Sequence, residues 1–106
     1  MSRATRVAKN ESLFREVNER IRELADRFDY PSDTPAHFVC ECSRLSCSDA
    51  VELTVPEYNE VRAVPTQFII LPAHIDSEFE RVVREAEGYT VVEKFGDAGR
   101  VAEDAA

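Results

Sequence analysis

Between Asn10 and Phe28, the apolar residues Leu13, Phe14, Val17, Ile21, Leu24, Ala25 and Phe28 recur at spacings of three and four. That spacing predicts one helix with one apolar stripe. Asn10 suits its N-cap. The stretch "DYPSDTP", 29–35, closes it as a connector with two prolines and turn-forming Ser and Asp. A striped helix has to bury its stripe on something. The simplest partner is a sheet of the same chain. The alternative is a second helix across a dimer seam, since the stripe follows a/d heptad positions over little more than two heptads.

The rest of the chain reads as short strands. "AHFVCEC" is one, "SRLSCSDA" a loop, and "VELTV" another strand with Val51 and Leu53 on one face. Thr54-Val55-Pro56-Glu57 fits a capping box with proline inside the first turn. A short helix over 56–63 should follow, burying Tyr58 and Val61 and stopping before Pro65. "TQFIILP" is the most apolar stretch and predicts a central strand. The segment 77–87 fits either a helix on Phe79, Val82, Val83 and Ala86 or the first arm of a hairpin turning at Gly88 into "TVVEKF". Its adjacent valines tip the balance to the hairpin. The expected architecture is α+β: a long N-terminal helix packed on a small, mostly antiparallel sheet, with one short second helix. Residues 1–9 are expected to form a flexible N-terminus, 10–95 a single domain and 96–106 a frayed tail.

The chain of 106 residues carries a formal net charge of −8. Its basic residues are dispersed and mostly stand beside Glu or Asp, so it repels phosphate backbones; nucleic acid is excluded as a direct partner. Arg3, Arg6 and Lys9 form the one acid-poor basic run. No apolar run approaches the ~20 residues that span a bilayer, and no signal-peptide core follows Met1. The expected location is the cytoplasm, where thiols stay reduced.

All three cysteines fall within "HFVCECSRLSC", residues 37–47. On a strand, Cys40 and Cys42 share a face with Phe38, whereas His37, Val39 and Glu41 take the other. Cys47 follows across "SRLS", a loop long enough to curl back. Zinc takes four tetrahedral ligands, mostly Cys and His, and the chain has two histidines. His37 is on the wrong face. His74 follows the strand "TQFIIL" and reaches the cysteines if that strand pairs beside "FVCEC". The candidate ligand set is therefore Cys40, Cys42, Cys47 and His74, with zinc as the metal. Three other readings stay open: Cys40 as a plain core residue, a reversible Cys42–Cys47 disulfide with Cys40 spare, and a nucleophilic cysteine with His74 as base. For the last, only Arg44 supplies a nearby cation.

No other constellation points to chemistry. Glu78, Glu80, Glu85, Glu87 and Glu93 read as a solvated acidic surface, and the glycines at 88, 96 and 99 form no phosphate loop. Tyr58 and Tyr89 read as half-buried packing residues. Together, "LFREVNERI", "FVCECSRLSC", "VELTVPEYNEVRAVPTQFII", "PAHI", "ERVV" and "VVEK" resemble an uncharacterised family of short bacterial proteins over about residues 13–94. That resemblance implies that Cys40, Cys42, Cys47 and His74 travel together, and it brings no activity with it. Ala73 departs from the pattern, which tends to have glycine there. The expected function is a small non-enzymatic regulatory or adaptor protein with a structural zinc site, binding another protein, with a homodimer through the N-terminal helix as a further option. A cysteine-based redox sensor is the alternative, and a metal- or thiol-dependent enzyme a third.

Overall fold

The computed structural model describes residues 3–42, 47, 49–78 and 80–94, with backbone alone for 3–12. The expected frayed tail, 96–106, lies outside the described residues, as do the loop residues 43–46 and Phe79. The element order is α1 (Arg3–Arg27), β1 (Ala36–Val39), β2 (Ala50–Leu53), α2 (Val55–Arg62), β3 (Gln67–Ile70), a 3₁₀ turn (Pro72–His74), β4 (Glu80–Ala86) and β5 (Tyr89–Lys94). This is an α+β protein with a long N-terminal helix on antiparallel strands. The strands form two small sheets, β1-β2 and β3-β5-β4.

Helix α1 begins at Arg3, so Asn10 is interior rather than the N-cap. Residues 3–9 contain neither glycine nor proline, and their Arg, Ala and Lys let a helix run on toward the N-terminus. The helix ends in a Schellman motif. The Tyr30 N–H donates to Ala25 O at 2.8 Å and the Asp29 N–H to Asp26 O at 3.3 Å, with Asp29 in the left-handed region at φ 54°.

The face that α1 buries is not the one its periodicity marks. Arg15 and Asn18 are buried, whereas Leu13, Val17, Leu24 and Phe28 are exposed; Ile21 and Ala25 pack on the core from its edge. The surface beneath α1 offers backbone polar groups, which apolar side chains cannot satisfy. Asn18 Nδ2 donates to Val39 O at 2.8 Å, and Asn18 Oδ1 accepts from the Val39 N–H at 2.7 Å. Arg15 donates to the carbonyls of Pro65 and Gln67 and lays its guanidinium over the Phe68 ring, 3.9 Å from the centroid.

Helix α2 opens with the expected capping box: Glu57 N–H donates to Thr54 Oγ1 at 3.2 Å and Thr54 N–H to Glu57 Oε1 at 2.8 Å. It buries Val55, Tyr58 and Val61. Tyr58 is fully buried rather than half-buried and stacks on Phe38, ring centroids 4.5 Å apart. Residues 80–94 form the hairpin and not a helix: β4 pairs with β5 from Glu80↔Lys94 to Ala86↔Tyr89, with an irregularity between Val82 and Arg84. Gly88 turns the chain at φ +87°. Strand β5 is central, flanked by β3 through Phe68↔Val92 and Ile69↔Val91. Glu80, which reads as part of a solvated acidic surface, is instead buried in an ion pair with Lys94, Oε2 to Nζ 3.6 Å. The core gathers Phe38, Val51, Leu53, Tyr58, Phe68, Ile69, Ile70, Tyr89, Val91 and Val92 with Cys40 and Cys42.

Candidate metal centre

Strand β1 delivers the first two cysteines. Its pairing with β2 (Phe38↔Val51, Val39↔Ala50) ends at Val39, and the chain then joins the two sheets. The Cys40 N–H donates to Asp49 O at 2.9 Å, on the β2 side, and the Glu41 N–H donates to Ile69 O at 2.8 Å, on β3. The side chains go on alternating as on a strand. Cys40 and Cys42 are fully buried on one side, and Glu41 is turned to the other. His37 is exposed and pairs with Glu52 across the β1-β2 ladder, Nε2 to Oε1 2.9 Å, away from the cysteines as expected.

Strand β3 brings the fourth residue. Because the segment after β1 bonds to Ile69, the turn beyond Ile70 comes down over Cys40. Pro72 opens the 3₁₀ turn, and the His74 N–H donates to Leu71 O at 2.9 Å. Ala73 is the middle residue of that turn.

The four residues converge. One ligand atom from each of Cys40, Cys42, Cys47 and His74 lies within 4.8 Å of all the others. His74 Nδ1 is 3.5 Å from Cys40 Sγ and 3.5 Å from Cys47 Sγ. A tetrahedron with Zn–S of about 2.3 Å and Zn–N of about 2.0 Å has S···N edges of about 3.5 Å, so these separations match two of its edges. The cluster is thus positioned to bind a metal ion.

The surroundings fit that chemistry. The Leu71 N–H points at Cys40 Sγ at 3.3 Å, a donor of the kind that steadies a thiolate. Asp49 approaches the outer nitrogen of the imidazole, Oδ2 to Nε2 3.7 Å, and Cys47 Sγ at 3.9 Å. A carboxylate behind a ligating histidine fixes its tautomer and raises its basicity. Asp49 is the residue that sequence reasoning missed. Its one signal was its place two residues after Cys47, on the loop that returns to β2.

The thiols are reluctant to ionise by themselves. Hydrogen bonding to Cys42, then burial, pushes the Cys40 thiol far above its ordinary value, and burial raises Cys47. A divalent cation reverses that balance, because a coordinated thiol is deprotonated outright. These directions also weaken the nucleophile reading, which needs a lowered thiol pKa.

Behind the cluster, Glu41 is fully buried and accepts three hydrogen bonds: from Tyr58 Oη at 2.8 Å, Asn18 Nδ2 at 2.9 Å and the Ile69 N–H at 3.0 Å. It ties α1, α2 and β3 to the strand end that carries Cys40 and Cys42. No helix among the described residues is long and apolar enough to cross a membrane. Comparison with known protein families, with curated proteins and with solved structures finds no match for this chain.

Proposed function

We propose that this chain is a small non-enzymatic metalloprotein in which Cys40, Cys42, Cys47 and His74 hold a structural zinc ion. The observation that carries this reading is the convergence of those four ligand atoms within 4.8 Å. Four protein ligands fill a tetrahedron and leave no position for a reacting water. Glu41, the nearest carboxylate in sequence, is committed to Asn18, Tyr58 and Ile69 on the opposite side, so it is not available as a general base. The resemblance to short bacterial proteins that share the same Cys and His positions supports the same ligand set.

The activity we infer is regulatory or adaptor in kind, exercised in the cytoplasm by binding another protein. Strand β4 supports this: it is the outer strand of its sheet, and it exposes Arg81, Val82, Val83 and Arg84. An outer strand of this kind suits strand addition by an extended segment.

Native mass spectrometry of protein purified without chelator tests the metal. One zinc per chain is expected, released when the thiols are alkylated, and reduced or lost in Cys42→Ser and His74→Ala. A metal-free mass, with no zinc liberated on thiol modification, overturns the reading. If mild peroxide instead removes two hydrogens from metal-free protein and maps to two of the three cysteines, the cluster is a redox switch.

A further inference from the structure

Helix α1 leaves an apolar stripe that its own fold does not use. Leu13, Val17, Leu24 and Phe28 are 48%, 43%, 51% and 75% exposed. At 3.6 residues per turn they fall within a sector of roughly 60°. The buried residues Arg15 and Asn18 are on the far side of the helix, so the sheets do not obstruct the stripe. It runs on into a shallow groove lined by Ile21, Leu24, Phe28, Tyr30, Ala36 and His37.

The charges beside the stripe say what covers it. Glu16, Arg20, Glu23 and Arg27 are all exposed along one flank. They alternate in sign and sum to zero, on a chain of net charge −8. A strongly acidic or basic partner would set half of them against like charge. A second copy running antiparallel satisfies all of them. A two-fold axis near Ile21 places Leu13 against Phe28 of the second copy and Val17 against its Leu24. The same axis places Glu16 against Arg27 and Arg20 against Glu23. A parallel two-fold pair would instead set this flank against the opposite one of the second copy, where Phe14, Ile21 and Ala25 offer no charge to answer it. The seam from Leu13 to Phe28 is about 22 Å long at 1.5 Å per residue.

We propose that this protein self-associates through α1, two copies pairing their helices antiparallel across the Leu13, Val17, Leu24 and Phe28 stripe. The pairing is independent of the metal reading.

Sedimentation velocity of the full chain as purified, from micromolar to millimolar concentration, tests it. The expected result is a concentration-dependent species of twice the 12.0 kDa of one chain. Two charge variants, Arg20→Glu with Arg27→Glu and Glu16→Arg with Glu23→Arg, should each be monomeric alone and dimeric when mixed. Benzoylphenylalanine at position 13 should cross-link to residues 24–30 of the other copy. A parent chain that stays monomeric at millimolar concentration overturns the proposal. So does self-association of both charge variants at parental strength, or a mixture that does not pair. Cross-links confined to residues around 13 in the second copy would replace the antiparallel order with a parallel one.

Discussion

Glu41 is fully buried between two buried cysteines, and the fold is arranged around its acceptors. Its two oxygens accept hydrogen bonds, and Asn18, Tyr58 and the Ile69 amide each donate one. Burial and the neighbouring carboxylate both push the Tyr58 phenol well above its usual range, so its O–H stays available as a donor. Two substitutions separate the contributions. Tyr58→Phe keeps the ring stacked on Phe38 and removes one donor; it should lower stability by about 1 kcal/mol. Glu41→Gln preserves volume but turns an N–H₂ group toward buried donors, leaving at least one unsatisfied, and should cost about 2–3 kcal/mol. Urea denaturation at unchanged m-value reads both directly. Equal effects of the two substitutions would mean that the carboxylate matters only through Tyr58.

At the level of elements, what sequence could reveal divides by the range of the interaction. The α2 capping box was legible because Thr54 and Glu57 are three residues apart and satisfy each other locally. The hairpin was legible because Gly88 separates two β-rich runs. His74 was legible through one assumption, that "TQFIIL" runs beside "FVCEC", and the Glu41–Ile69 backbone bond bears that out. The docking face of α1 was not. Periodicity counts apolar side chains, but Arg15 and Asn18 are recruited by carbonyls and an N–H more than twenty residues away in sequence. Nor was the burial of Glu41, whose partners come from three other elements 17 or more residues away, or the approach of Asp49 to His74. One local feature runs against the chain's own preference: Asp29 occupies the left-handed C′ position of the Schellman motif at φ 54°, where glycine is the usual residue. Among the described residues, no hydrogen bond uses its side chain. Asp29→Gly should therefore stabilise the protein by about 0.5–1 kcal/mol, seen as a higher Tm. Destabilisation by this change would show that the Asp29 side chain makes a contact worth more than the strain it relieves.

For the whole molecule, the four candidate ligands tie the two sheets together at one end. Cys40 and Cys42 follow β1, Cys47 precedes β2, and His74 follows β3 of the second sheet. Away from that end, the core is continuous through Phe38, Val51, Leu53, Tyr58, Phe68, Val91 and Val92, and a domain of this length buries roughly 60–70% of its extended surface without staples. The two facts give different consequences for metal removal from those known for zinc fingers, which unfold without metal. A ligand that binds only the folded state adds its binding free energy to stability, so chelation under reducing conditions should lower Tm by about 10 °C or more. The far-UV circular dichroism of α1, α2 and the hairpin should persist at room temperature, because most of the core that holds them lies away from the cluster. Hydrogen exchange should accelerate at residues 40–42, 47–49 and 71–75 and stay slow in α2 and β5. Cooperative loss of all secondary structure on chelation would mean that the two sheets cannot hold together without the metal. An unchanged Tm and exchange pattern in protein shown to have lost its zinc would mean that the ion does not brace the fold.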